Sequence, residues 1–389
     1  MKKTAYIIDA YSHGSYHEVI NQGYLMMISE LYEKVIYVAD KSSCENLRIL
    51  LDKCNFKYNN ITFKEKRFSK IKLKSKGISY LLNILRVSFW NYYYYVKAPS
   101  CVDVFYNNNL FFAITLISLF SNKRNNIYDM CHNEMELIDS KSVYSSATSI
   151  LSKYFRYVFC KIKLNRIFHF ILLSPDMVSY FNSLISEKNH SRIFSIDHTY
   201  IRAELQYEVK MDNTDKHIRV GIPGAITQQR GGRQLKKILE GIKNDDICIY
   251  ALSTCSENIE NEHFVKLNKD NSLMPFEQYS NYVKSMDMML LLYDVDSYKL
   301  TASGAVLEAI WNEKPVVALS NMYFSYLFNK FGQLGELASD VESLIGILNN
   351  IHDMDYFDCH YKVNLKNARN KLLPENTCAQ LREIIGFDN

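Results

Sequence analysis

The segment Asp287–Leu319, DMMLLLYDVDSYKLTASGAVLEAIWNEKPVVAL, constrains the fold more than any other part of the chain. Met288–Leu292 is an apolar run of strand length between Asp287 and Asp294. A polar loop follows, and Ser303-Gly304-Ala305 opens a helical pattern that carries Glu308 and stops near Asn312. Pro315–Ala318 reads as the next strand. Strand, small-residue turn, helix and strand make one βαβ unit, which requires a parallel sheet. At the start of such a helix, free backbone N–H groups and the positive end of the dipole face the loop. Small residues there let an anion come close, so the segment is predicted to seat a diphosphate.

The same alternation recurs toward the amino terminus. Thr4–Asp9 reads as a buried strand running into the loop Tyr11-Ser12-His13-Gly14-Ser15, then a helix over about 16–32 and a strand over 34–40. Further strands are predicted at 101–107, 125–133, 166–174 and 192–197, the apolar stretch Leu110–Phe120 being a buried helix. Five or six strands alternating with helices predict a doubly wound domain over residues 1–200. Residues 201–216 lack apolar periodicity and read as a linker. A second α/β domain is expected over 217–365, beginning with the strand HIRVGIPG, and 366–389 reads as a carboxyl-terminal helix packing back toward the first domain.

Charge separates the two halves. Residues 1–200 hold 26 Lys+Arg against 16 Asp+Glu, whereas the remainder holds 20 against 26, although the whole chain carries only +4. A basic first half predicts an anionic partner. Its basic residues concentrate in KEKRFSKIKLKSK (64–76) and SKYFRYVFCKIKLNR (152–166), the first followed by the apolar, aromatic GISYLLNILRVSFWNYYYYV with Arg86 as its single charge. A solvated charge run beside core helices is one reading of these stretches. A surface lying on anionic lipid is the other. No apolar run reaches the length of a membrane span, and the short apolar run after Met1 reads as a first strand and not a leader. Nine scattered cysteines without a CxxC pair predict neither a zinc site nor a disulfide framework, and so a reduced cytoplasmic protein. His352, Asp353, Asp355, Asp358, Cys359 and His360 crowd together like metal ligands, but they read as a polar connection, and no metal or other cofactor is expected. No nucleic-acid motif accompanies the Tyr92–Tyr95 run.

The second domain also opens with a glycine-rich turn, Arg219-Val220-Gly221-Ile222-Pro223-Gly224, then Arg230-Gly231-Gly232-Arg233 at a helix start. In a parallel sheet this turn and Ser303-Gly304 both belong at the carboxyl edge, where ligands bind. Arginines there suit a diphosphate.

These features resemble the GT-B glycosyltransferases, particularly the large group of bacterial polysaccharide and lipid-glycan enzymes related to glycosyltransferase family 4. The resemblance implies two Rossmann-like doubly wound domains facing a central cleft. It implies that Gly224, Arg230, Arg233, Ser303, Gly304 and Ala305 surround a donor diphosphate, that Glu308 binds the donor ribose and that Pro275 lies by the nucleotide base. Val102–Asn109 and Ile127-Tyr128-Asp129 match the family's strand–helix–strand, with His132 one residue beyond the family's histidine. The implied reaction moves a sugar from a nucleoside-diphosphate sugar to a hydroxyl of a glycan acceptor, with a lipid-linked glycan on the inner face of the cytoplasmic membrane as the expected one.

One departure bears on mechanism. The family's retaining members keep a second glutamate eight positions before the first, and here that position is Leu300. An inverting enzyme needs a general base instead. His13 is the preferred base among Asp9, His13, His17 and Glu18, with Ser12, Gly14, His17 and His132 as acceptor contacts and Glu308 as the catalytic carboxylate of the donor side. A sugar-nucleotide epimerase and a non-catalytic nucleotide-sugar or partner-binding protein on the same fold stay open as alternatives.

Overall fold

The computed structural model describes residues 2–107, 110–139, 145–203, 217–228, 231–272, 274–293, 298–352 and 354–386, with residues 2, 3, 276 and 354–358 described by backbone alone. The chain divides into two compact units, one of Met1–Ala203, Leu300–Ala302 and Leu372–Asn389, the other of Glu204–Lys299 and Ser303–Lys371. The expected linker falls at its residues 204–216 outside the described residues.

The first unit holds the strands β1 (Lys2–Asp9), β2 (Tyr32–Asp40), β3 (Ile61–Lys66), β4 (Asp103–Tyr106), β5 (Ile127–Met130), β6 (Phe168–Leu172) and β7 (Ile193–Ser195). Between them run the helices α1 (Glu18–Ser29), α2 (Lys41–Lys53), α3 (Lys76–Lys97), α4 (Ala113–Phe120), α5 (Ser146–Arg156) and α6 (Pro175–Leu184). The sheet is parallel in the order β3-β2-β1-β4-β5-β6-β7, and Ile7 lies opposite both Tyr37 and Phe105. Central strands such as β4 and β5 are buried at every position, as strands covered on both faces must be. Helix starts are fixed by short polar side chains: Asp40 accepts from the Ser42 N–H to cap α2, and Ser174 caps α6 ahead of Pro175.

The second unit holds β8 (Ile218–Ile222), β9 (Ile247–Ala251), β10 (Phe264–Lys266), β11 (Met288–Leu291), β12 (Val316–Leu319) and β13 (Gly335–Ala338) in the parallel order β10-β9-β8-β11-β12-β13. Its helices are α7 (Gly232–Gly241), α8 (Phe276–Ser285), α9 (Gly304–Trp311), α10 (Met322–Phe331), α11 (Val341–Asn349) and α12 (Met354–Lys371), and α13 (Pro374–Ile385) returns to pack on α1 of the first unit. The break between the last two helices falls at Leu372–Leu373 rather than at 365–366. Pro374 cannot continue a helix but starts one well.

Two expectations are corrected. The first sheet has seven strands, because ITFKEK forms β3 at its edge; its charged outer positions made it read as part of a solvated run, although such charges guard an edge strand against pairing. The stretch Leu110–Phe120 does not end buried: Leu119 and Phe120 are 69% and 67% exposed. The charged side chains of the basic run 64–76 are exposed, as a solvated run requires, while Phe68 is buried.

Candidate functional site

In each unit the chain order reverses beside one central strand, between β1 and β4 in the first and between β8 and β11 in the second. Loops leaving the carboxyl ends of such neighbours diverge and leave room for a ligand.

In the second unit, the loop after β8 carries Gly224 at φ 78° and ends at Gly231 at φ 81°, both in the left-handed region. Gly231 packs on the end of β11: a Cβ there would lie 2.6 Å from Leu292 Cβ and 3.0 Å from its carbonyl oxygen. The glycine loop and the end of β11 are therefore in contact, and α7 and α9 both start at this edge. Ser303 precedes α9 without capping it, and its Oγ is buried without a hydrogen-bond partner. Gly304 is exposed, and an added Cβ would meet nothing within 4 Å. Ala305 follows in the same first turn. Uncapped N–H groups, an orphaned hydroxyl and open space together fit an anion. Glu308 is buried one turn along, its Oε2 accepting from the Tyr279 hydroxyl at 2.8 Å. Tyr279 lies on α8, whose start is set by the exposed Pro275. Arg233 is exposed on the first turn of α7, and Arg230 lies outside the described residues.

In the first unit, Asp9 ends β1 and holds the loop that follows. Its Oδ1 accepts from the Tyr11 and Ser12 N–H groups, and its Oδ2 from Asn21 Nδ2 and the Tyr37 hydroxyl. Ser12 is fully buried, its Oγ accepting from Asn21, so it builds the loop and does not face an acceptor. The Gly14 N–H donates to Ser42 Oγ at 2.9 Å, with φ 58° at Gly14. His13 Nδ1 lies 3.5 Å from Asp40 Oδ2 while Nε2 has no hydrogen-bond partner. Burial lowers the His13 pKa, Lys70 and Arg86 lower it further, and Asp40 and Asp9 oppose them. One imidazole nitrogen thus lies by a carboxylate, and the other is buried and unpartnered.

His17 stands at φ 58° before α1, stacked on Tyr16, and its ring is 5.4 Å from that of His132 after β5. The sequence reading missed the third imidazole, His198, 6.0 Å from His132, because nothing local marks a histidine just beyond a short edge strand. It also missed Asn107, fully buried at the end of β4 with neither side-chain polar atom partnered. His132 Nε2 is likewise unpartnered, and burial holds its pKa well below the usual value. Asp129, Cys131 and Glu134 bring ligand-type atoms within 4.8 Å of one another, but burial raises both the Asp129 carboxyl and the Cys131 thiol. That opposes the deprotonation metal ligands need. Of the other metal-like group, Asp353 and the side chains of Asp355 and Asp358 lie outside the described residues. Leu300 is buried in the first unit, its N–H donating to Glu136 Oε1 at 2.6 Å.

His198 gives a pH test. Burial lowers its pKa from 6.5 to about 4, so the folded state binds fewer protons than the unfolded chain. This stabilisation is complete above the unfolded pKa and is lost as pH falls toward 4. Between about pH 7.5 and about pH 5 the loss is about 2 kcal/mol. His198→Asn, which can keep the donor to the Thr199 carbonyl, should flatten this part of the profile in denaturant titrations. An identical acid loss in the variant would remove His198 as its source.

No family model matches the chain, and no curated protein matches it in sequence. Solved structures do match its fold. Sucrose-phosphate synthase from Thermosynechococcus elongatus is 12% identical with a TM-score of 0.63, over 99% of this chain and 98% of the other. WaaG, a glycosyltransferase involved in lipopolysaccharide biosynthesis, is 12% identical with a TM-score of 0.56, over 99% and 100%. A mutant of S. aureus TarM, solved with fondaparinux, α-GlcNAc-glycerol and UDP, is 12% identical with a TM-score of 0.59, over 99% and 100%. The chain has the GT-B fold, built from two Rossmann-like domains.

Proposed function

We propose that this chain is a glycosyltransferase that moves a sugar from a nucleoside-diphosphate sugar to a hydroxyl of a lipid-linked glycan, in the assembly of a bacterial surface polysaccharide. The observation that carries the reading is the α9 start, where an orphaned Ser303 hydroxyl and open space before Gly304 stand one turn from buried Glu308. The donor diphosphate would lie against the N–H groups of that start and the glycine loop, with Arg230 and Arg233 as cations and Glu308 accepting from the ribose hydroxyls. Leaving-group charge is thereby held by fixed dipoles. His13 Nε2 would take the proton of the attacking hydroxyl as the anomeric carbon–oxygen bond to the diphosphate breaks, a single displacement that needs no glutamate at position 300. WaaG's role in lipopolysaccharide biosynthesis and the UDP bound to TarM support the donor and acceptor classes.

The acceptor side also supports a place on the inner face of the cytoplasmic membrane. On α3, Ile78, Leu82, Leu85, Phe89, Tyr93 and Val96 are all exposed and form one stripe at helical spacing. Among the described residues no helix is long and apolar enough to cross a membrane, so this face would lie on the surface.

The test is a thermal-shift screen with nucleoside diphosphates, followed by transfer of labelled sugar to a bacterial lipid extract. One base should raise Tm, and Glu308→Ala should weaken its binding about tenfold or more, the worth of hydrogen bonds to a charged group. Absence of binding by every nucleoside diphosphate would end the donor reading. Epimerisation of the sugar nucleotide without acceptor would replace transfer.

A further inference from the structure

The basic run after β3 is folded onto α3. Phe68 is buried, its ring contacting Trp90 and Tyr94, and its N–H donates to Asp40 Oδ2. Three residues on, Asn83 closes a two-way clamp on Ile71: Asn83 Oδ1 accepts from the Ile71 N–H, and Asn83 Nδ2 donates to the Ile71 carbonyl. Ser79 Oγ donates to the same carbonyl at 2.7 Å. These clamps fix the backbone at Phe68 and Ile71 while the lysines between and after them stay exposed.

Beside these clamps lies an open pocket of about 370 Å³ lined by Tyr11, Lys70, Lys72, Lys76, Tyr80 and Arg86, among others. The Nε and Nη1 atoms of Arg86 are buried without a hydrogen-bond partner. A guanidinium presents its donors in a rigid fork, and leaving them unmade away from water is costly. Asp40 is the acid that offsets the charge, but its oxygens already serve Ser42, Phe68 and His13. Burial and Arg86 also lower the Lys70 pKa, a sign that the cations crowd one another. Lys70, Lys72 and Lys76 are exposed and reachable from solvent, so it is Arg86 whose buried donors lack an acceptor.

The pocket borders the apolar stripe. At helical spacing Arg86 has Leu82 one turn before it and Phe89 one turn after, both exposed members of that stripe. Leu73, also exposed, lines the pocket. A ligand whose charged head enters the pocket would therefore lay its apolar part along α3.

We propose that this pocket binds the phosphate or diphosphate head of a lipid, with Arg86 as the fork that grips it; this rests on the transferase reading and names the acceptor class. Tyr11 lines the pocket two residues before His13 in the same loop, which puts the head near the proposed base.

The test is titration calorimetry of the full chain with farnesyl diphosphate, inorganic diphosphate and farnesol micelles. Farnesyl diphosphate should bind more tightly than inorganic diphosphate, and farnesol should bind weakest. Arg86→Gln should weaken both diphosphates about tenfold, the scale of a charge-assisted fork. Its Tm should hold or rise, because it removes an uncompensated buried charge. Equal affinity for the two diphosphates would overturn the lipid source in favour of a soluble anion. Equal binding by wild type and a folded Arg86→Gln would overturn the site. Nucleoside-diphosphate binding is read on the same variant. If it persists, with transfer to a soluble acceptor, while farnesyl diphosphate fails to bind the wild type, the pocket proposal falls and the transferase reading stands.

Discussion

His13→Ala is expected to lower kcat about 100-fold or more with KM little changed, the scale of a lost general base. The geometry behind this is the 3.5 Å approach of Nδ1 to Asp40 and the unpartnered Nε2. A positioning role for Asp40 makes a second, finer prediction. The lowered His13 pKa keeps the base neutral below its ordinary value of 6.5, so activity should fall on an acid limb lying below that pH. Asp40 raises the His13 pKa, and Asp40→Asn should move the limb to lower pH while also reducing the plateau, because the ring loses its orienting partner. Lys70 lowers it, and Lys70→Met should move the limb the other way. Profiles of kcat/KM against pH check both signs. Activity of His13→Ala within a few fold of wild type would take the base role from this residue, as would a limb that ignores both neighbours.

The alternation of strands and helices was legible because parallel strands covered on both faces carry apolar runs, as Ala5–Ile8 of β1, Val104–Tyr106 of β4 and Met288–Leu291 of β11 do. The strand ITFKEK was not, since an edge strand shows charge to solvent and loses that signature. The helix start at Ser303-Gly304 could be read from the local pattern, with Glu308 on the same short element, whereas a role for Glu308 came only from the family resemblance. Loop contacts could not. Asp40 and His13 are 27 positions apart, and only the pairing of β1 with β2 brings them to 3.5 Å. Ser12 looked available beside His13 but is turned into the core by Asn21. Arg86 stood out as the single charge of an apolar stretch, yet the burial of its Nε and Nη1 depends on the tertiary fold.

Two glycines at the carboxyl edge of the second sheet separate stability from binding. Gly231→Ala should destabilise the protein by about 2–4 kcal/mol. A left-handed φ of 81° costs an L-residue about 1 kcal/mol, and the new methyl, 2.6 Å from Leu292 Cβ and 3.0 Å from its carbonyl oxygen, adds overpacking of about 1–3 kcal/mol. The backbone oxygen cannot move aside as a flexible side chain would, so the glycine loop and the end of β11 must part. Nucleoside-diphosphate binding should then fall with stability. Gly304→Ala is the contrasting case. Nothing lies within 4 Å of its added Cβ, and alanine suits a helix better by about 0.5–1 kcal/mol, so Tm should hold or rise. If a diphosphate rests on the α9 start, the methyl stands in its way and binding should weaken about tenfold, a loss of about 1.4 kcal/mol. Denaturant titrations and nucleotide calorimetry on the two variants read the two effects apart. Unchanged binding by a stable Gly304→Ala would mean that the open space before α9 belongs to solvent and that the donor diphosphate sits elsewhere.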